Sequence, residues 1–284
     1  MKGRSRTSIG FLFRTSRPLG WVASFSLFRI GMEYGSAQNT FSTVGLSIVL
    51  TFPFCLYLFG LNDIADRESD IDNPRKGNWI HGASSPEDHD TLARWSPWIG
   101  GGIVALFVPL IPFAAGVVLA FILIVSWAYS TKPFRLKEIP IVDGLTTASI
   151  MIGLLCVGFL TNTAPSSIPY EAVAVAPCLV GLHIFASVVD LESDRKANHR
   201  TLAVRAGPRI AGLVAIAFSM LSTISIAWLD YVHPIAVYLC LQPSVFIAWL
   251  LLGRRMTARR AISIVGAFGI ITLVYLAVYL MLER

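Results

Sequence analysis

Five aspartates in two clusters carry the chemistry most directly legible in this chain. Asp63, Asp66 and Asp70 stand at i, i+3 and i+7, and Asp190 and Asp194 at i and i+4. On a helix each set falls on one face. Carboxylates stacked in this way repel one another, so something must compensate. A hard divalent cation does so: Mg²⁺ takes one or two carboxylates, keeps several waters and shares its other positions with substrate phosphates. Two such clusters facing each other across a cavity would hold a diphosphate between metal ions. One cluster alone reads more simply as a solvated acidic face. Two at matching places, each where an apolar stretch ends, point to a site.

The elements that must position these acids are membrane helices. The chain has 284 residues, of which 55% are hydrophobic and 14% charged, whereas soluble domains carry about 25% charged residues. Mean hydropathy is +0.65. The deficit of charge runs the whole length, so an integral membrane protein is expected rather than a soluble domain with one anchor. Nine stretches, at about 18–35, 42–60, 95–111, 114–130, 141–160, 172–189, 210–229, 234–252 and 261–282, each approach the roughly 20 residues that cross a bilayer as a helix. Pro109 and Pro112 mark a tight hairpin between the third and fourth. The runs do not alternate and are too long for strands. The expected fold class is all-α, a polytopic helical bundle.

Basic residues orient the bundle. Of the 23 Lys and Arg, 21 fall in the segments 1–17, 61–94, 131–140, 190–209 and 253–260, and none in the loops 36–41, 112–113, 161–171 and 230–233. By the positive-inside rule the N-terminus and both aspartate motifs are expected to be cytoplasmic, and the C-terminus on the opposite side. Topology therefore accounts for the net charge of +6 without any nucleic acid. The first span has no cleavage site beside it and is expected to be retained. Cys55, Cys156, Cys178 and Cys240 lie inside expected spans, at neither metal nor redox spacing, and read as small apolar packers.

The two acidic clusters occupy equivalent places, one after the second span and one after the sixth. Spans one to four and five to eight thus form two four-helix units, with the ninth helix left over. This is a repeat of layout rather than of residues. A single membrane domain over residues 1–284 is expected.

Asn62-Asp63-x-x-Asp66-x-x-x-Asp70, followed by Asp190-x-x-x-Asp194, resembles the paired aspartate motifs of the UbiA superfamily of intramembrane prenyltransferases. The loop Tyr129-Ser130-Thr131-Lys132-Pro133-Phe134-Arg135-Leu136-Lys137 is similar to that family's third cytoplasmic signature. The run ending Asp72-Asn73-Pro74-Arg75-Lys76-Gly77 looks most like the lycopene elongase branch, which prenylates carotenoids. The chain departs from many members after the second motif, where Asn198-His199-Arg200 stands in place of a glycine. The resemblance implies helices around a central cavity and Mg²⁺-dependent transfer of an isoprenoid group from an allylic diphosphate to a lipophilic acceptor. It implies metal binding by Asp63, Asp66, Asp70, Asp190 and Asp194, with two ions bridging carboxylates and diphosphate. Asn62, Lys132, Arg135, Lys137, Tyr129 and Ser130 are the implied diphosphate contacts. Arg67 and Arg195, beside the motifs, are either screening partners or phosphate ligands, and Arg75 and Lys76 are similar.

Other charged residues have plainer readings. Arg254, Arg255, Arg259 and Arg260 read as orientation signals facing lipid head groups. His183, seven residues before Asp190, is either a base, part of the acceptor pocket, or a polar residue bonded to a neighbouring helix. Asp143 is either functional or paired with Lys137 or Arg135. Arg29 either snorkels or pairs with Glu33 one turn on. Trp21, Trp228 and Tyr231 read as interface anchors. Three other functions remain open: a membrane terpene cyclase, prenylation of an aromatic quinone precursor, and an ion-coupled transporter. The transporter is disfavoured because such proteins bind near the bilayer midplane, and these acids lie at an edge.

Overall fold

The computed structural model describes residues 9–67, 89–162, 170–196, 198–227 and 234–282. All regular structure among them is helical: α1 Ile9–Thr15, α2 Pro18–Tyr34, α3 Phe41–Val49, α4 Phe52–Ala65, α5 His89–Phe107, α6 Phe113–Ser130, α7 Val142–Leu160, α8 Tyr170–Val189, α9 Leu191–Lys196, α10 Leu202–Ala206, α11 Pro208–Ala227, α12 Pro234–Leu252 and α13 Ala258–Leu282, with short 3₁₀ turns between some of them. Six stretches are long and apolar enough to cross a membrane: Phe41–Ala65, Phe113–Ser130, Val142–Leu160, Pro208–Ile226, Ile235–Arg255 and Ala258–Tyr279. Large apolar side chains such as Phe41, Phe113 and Leu251 are exposed on the outside of these helices, as a lipid solvent allows.

The chain divides into two compact units, Met1–Phe134 with Cys156–Ala164, and Arg135–Leu155 with Pro165–Arg284. In the first, the stretch expected as one helix at 42–60 is broken. Pro53 lacks an N–H and its ring would clash with the carbonyl four residues back, so α3 stops at Val49 and α4 starts afresh at Phe52. Ser24 of α2 donates to the Leu50 carbonyl at this break, at 2.6 Å. Inside a bilayer no water is present to take that role. Beyond the break, α4 runs to Ala65 and carries Asp63 on its last turn. The expected hairpin at Pro109 and Pro112 is present, with Pro109 inside the 3₁₀ turn Val108–Leu110 and Pro112 capping α6. Tyr57 OH donates to the Leu123 carbonyl at 2.9 Å and ties α4 to α6. Phe11 and Leu56 pack with Leu92, which seats α1 against α4 and α5.

In the second unit α8 lies along α11 through small residues. Ala211, Ala215, Ser219 and Ser222 are fully buried, and a Cβ on Gly181 would stand 2.7 Å from the Ala215 carbonyl. Such close approach is how helices gain packing where lipid removes the hydrophobic drive. Pro177 lies inside α8, and the Cys178 N–H donates to Ser222 Oγ at 2.7 Å. Gln242 of α12 is fully buried and fully engaged. Its amide donates to the Cys178 carbonyl and to Ser219 Oγ, both at 2.8 Å, and its oxygen accepts from Tyr238 OH at 3.0 Å. Phe185 stacks on Phe246 at 3.9 Å between centroids, with Trp249 edge-on. This rigid core fixes the direction in which α8 delivers Asp190.

Candidate active site

The first acidic motif closes α4. Asn62 and Asp63 lie in its last turn, Asp66 is its C-cap, and Arg67 follows, exposed. Asp70 falls outside the described residues, as do Arg75, Lys76, Trp228 and Tyr231. A helix C-terminus is the wrong end for an anion, because its unpaired carbonyls carry the negative pole of the macrodipole. Asp63 is nevertheless only 1% exposed. Its Oδ1 accepts from Arg17 Nη2 at 2.8 Å.

Arg17 stands in the turn between α1 and α2, and its guanidinium also lies 4.5 Å from the centre of the Phe59 ring. The residue takes a left-handed φ of 49°, uncommon outside glycine and maintained by its surroundings. Pro18 starts α2 behind it, and the Trp21 indole N–H donates to Ser16. Sequence reasoning used Arg17 only as a topology marker and missed it as a site residue. Its signal was a cation at the membrane edge, on the side expected for Asp63.

At the end of α6 are Tyr129, half-buried, and Ser130, 1% exposed. Six residues beyond each partner of the Tyr57–Leu123 bond come Asp63 and Tyr129. Lys132 follows α6 and is exposed.

The second unit holds the rest of the expected set. Arg135 has a left-handed φ of 41°, and its Nε lies 2.8 Å from Glu138 Oε1. Part of its charge is therefore matched within its own loop. Lys137 is buried, unlike the exposed Arg254, Arg255, Arg259 and Arg260. Asp190 directly follows α8, and its carbonyl accepts from the Asp194 N–H at 2.8 Å, so the helical path continues into α9 and stacks the two acids one turn apart. Thr201 Oγ1 donates to Asp194 Oδ2 at 3.0 Å, and His199 Nδ1 lies 3.6 Å from Asp194 Oδ1. Arg195 is exposed on α9.

Asn198 has a φ of 55°, a left-handed conformation that glycine favours and asparagine tolerates. This left-handed turn precedes His199 and Thr201, which come back to Asp194.

Two residues left open by the sequence also find partners. Asp143, 3% exposed in the first turn of α7, accepts from the Gly144 N–H at 2.6 Å and faces His183 Nε2 at 3.9 Å. Arg29 pairs with Glu33 at 3.1 Å and with Asn39 at 2.6 Å, away from the motifs.

Among the described residues no three His, Cys, Asp or Glu side chains gather into a cation cage. The four described motif aspartates still suit Mg²⁺. They offer only hard oxygen donors, two to each helix end, and Mg²⁺ is normally held by one or two carboxylates with water and substrate phosphate rather than by a protein cage.

These features define an all-helical integral membrane protein with paired carboxylates at two helix ends. Residues 22–268 match the UbiA prenyltransferase family. The chain belongs to that family and is a prenyltransferase. A UbiA homologue from Archaeoglobus fulgidus, solved bound to DMAPP and Mg²⁺, superimposes with a TM-score of 0.72 at 16% identity, covering 95% of this chain and 98% of that one. At that identity the likeness shows the fold. The C(50) beta-cyclic carotenoids biosynthesis protein LbtBC of Dietzia sp. (strain CQ4) is 32% identical over 223 residues, 72% of this chain and 48% of that protein. The match thus spans about half of the Dietzia protein. The lycopene elongase/hydratase of Haloarcula japonica is 29% identical over 207 residues, 71% of this chain and 68% of that protein.

Proposed function

We propose that this prenyltransferase moves an isoprenoid group from an allylic diphosphate to a lipophilic acceptor inside the bilayer, and that the acceptor is a carotenoid such as lycopene. One observation carries the reading: two apolar helices, α4 and α8, each end in a pair of aspartates within one turn of each other. Such an arrangement suits a ligand whose polyphosphate head stays at the membrane edge while its tail lies among helices. The names of the Dietzia and Haloarcula relatives support a carotenoid acceptor, and the DMAPP and Mg²⁺ of the Archaeoglobus homologue support the donor and the metal.

In this reading Asp63, Asp66, Asp70, Asp190 and Asp194 hold two Mg²⁺ ions, which would neutralise the departing pyrophosphate as the allylic C–O bond ionises. Arg17 orients the Asp63 carboxylate, and Thr201 and His199 orient that of Asp194. Asn62, Tyr129 and Ser130 donate hydrogen bonds to the diphosphate, and Arg67, Lys132, Arg135, Lys137 and Arg195 supply positive charge. The apolar helices around a central cavity keep water from the cation. The same reading has the chain cross the membrane nine times as one domain, with the N-terminus and both motifs cytoplasmic and the C-terminus opposite. The six helices of spanning length among the described residues support a multi-pass chain, and the distribution of Lys and Arg supports its sidedness.

The test is product analysis. Purified protein is given allylic diphosphates of increasing chain length, with and without lycopene. A prenylated carotenoid formed only with both substrates is the expected result. A cyclic hydrocarbon made without acceptor would replace transfer by cyclisation, and prenylation of an aromatic acceptor alone would move the chain to quinone chemistry.

A further inference from the structure

Prenyl transfer to a carbon acceptor leaves a proton to be removed, and neither aspartate motif is suited to take it if its carboxylates hold metal. The second unit contains a basic group beneath its own motif. His183 lies on α8 seven residues before Asp190, so the two share a face, separated by about 10 Å along the axis. Its partner Asp143 is buried at the start of α7, with one carboxylate oxygen held by the Gly144 N–H and the other 3.9 Å from His183 Nε2. The local fold holds this pair together. A Cβ at Gly144 would meet the Val180 side chain at 3.1 Å and the Val180 carbonyl at 3.2 Å, so α7 presses on α8 within a turn of His183. The His183 side chain keeps 28% of its surface exposed while that of Asp143 keeps 4%. The imidazole therefore has an open side and the carboxylate does not.

We infer that His183, with Asp143 behind it, receives the proton released by the acceptor; this rests on the prenyl-transfer reading above. The allylic C–O bond breaks with its electron pair going to pyrophosphate. The allylic carbon bonds to one carbon of an acceptor double bond, whose π pair is consumed, and the other carbon becomes cationic. A neighbouring C–H bond supplies the pair for a new double bond, and its proton passes to the imidazole. A neutral imidazole carries one nitrogen able to accept it. The imidazolium then faces the Asp143 carboxylate, a charge pairing of high value in a site with little water. The placement suits proton removal in this reading, because the donor's first carbon is bonded to the diphosphate oxygen and the acceptor would meet it on the membrane side of the head, the side on which α8 carries His183.

The experiment measures alkene product formed per pyrophosphate released, in detergent-purified wild type, His183→Gln and Asp143→Asn. In wild type the ratio should be near one. In His183→Gln it should fall at least about tenfold, in line with the usual value of a general base, with water-captured alcohol or prenol replacing the alkene. Asp143→Asn keeps the imidazole and should lower the ratio by a smaller factor in the same direction. A purely structural role would reduce product and pyrophosphate together and leave the ratio unchanged. An unchanged ratio in either variant overturns the inference. Absence of pyrophosphate release by wild type from any allylic diphosphate overturns the transfer reading itself, and His183 as its base with it.

Discussion

The two aspartate motifs are alike in sequence and unlike in how the fold holds them. Asp63 is buried and bound to a guanidinium 46 residues away in the chain, on the turn that enters α2. Asp194 is half-buried and held by its own loop, through Thr201 seven residues on and His199. One carboxylate thus has a fixed cation beside it before any metal arrives. The other accepts a hydrogen bond from a neutral hydroxyl and faces a histidine. The difference matters because a helix C-terminus repels an anion. At α4 that repulsion is offset by a distant arginine. At α8 the chain turns directly into α9, and the hydrogen bonds of one loop suffice to aim the acid.

The largest effect should come from removing what the two motifs share. Chelation of Mg²⁺ is expected to abolish pyrophosphate release reversibly, with activity restored by added Mg²⁺. The double substitution Asp63→Asn with Asp190→Asn should lower turnover by about 10³-fold or more, while the protein still inserts and elutes as a single species. Full turnover by that variant would remove both motifs from the chemistry.

The next effect separates the motifs. Arg17→Ala leaves Asp63 buried beside the negative end of α4. Loss of a partner that orients a metal-binding carboxylate costs about 10–100-fold in metal affinity or activity, and Arg17→Ala should lie towards the upper end. It should also lower thermal stability, since a buried charge then loses its partner. Arg17→Lys retains the charge but not the guanidinium geometry and should recover part of the loss. If Arg17→Ala leaves the Mg²⁺ dependence of turnover unchanged, the contrast between the motifs has no functional content.

Thr201→Val is the smallest change. It deletes one hydrogen bond to Asp194 at nearly constant volume, worth about 1 kcal/mol. The Mg²⁺ concentration for half-maximal turnover should rise by a few-fold, near the factor that energy allows. An effect as large as that of Arg17→Ala would show that the second motif depends as heavily on its partner as the first.

Much of the architecture was legible in the residues. The apolar stretches foretold α6, α7, α8, α11 and α12 to within a few residues, because a bilayer imposes one length on every span. The proline pair at Pro109 and Pro112 marked its hairpin, and the four-residue spacing of Arg29 and Glu33 offered their pairing as one of two readings, the one the fold adopts. The break before α4 was harder to see, although Pro53 was its cause: hydropathy runs unbroken through Leu50 and Thr51, and only backbone geometry interrupts it. The left-handed φ of Asn198, a conformation that glycine favours and asparagine tolerates, was not visible in the residue order alone.

What the sequence determined by itself is whatever lies within one helix: the apolar length of each span and the stacking of Asp63 with Asp66 and of Asp190 with Asp194. Those follow from a repeat of 3.6 residues, which any helix obeys. Only the tertiary structure decided which side chains answer those acids. Arg17 reaches Asp63 because α1 seats on α4, and His183 faces Asp143 because Gly144 lets α7 press against α8. Such partners depend on how helices pack, and packing is set by the shapes of many side chains at once rather than by spacing along the chain.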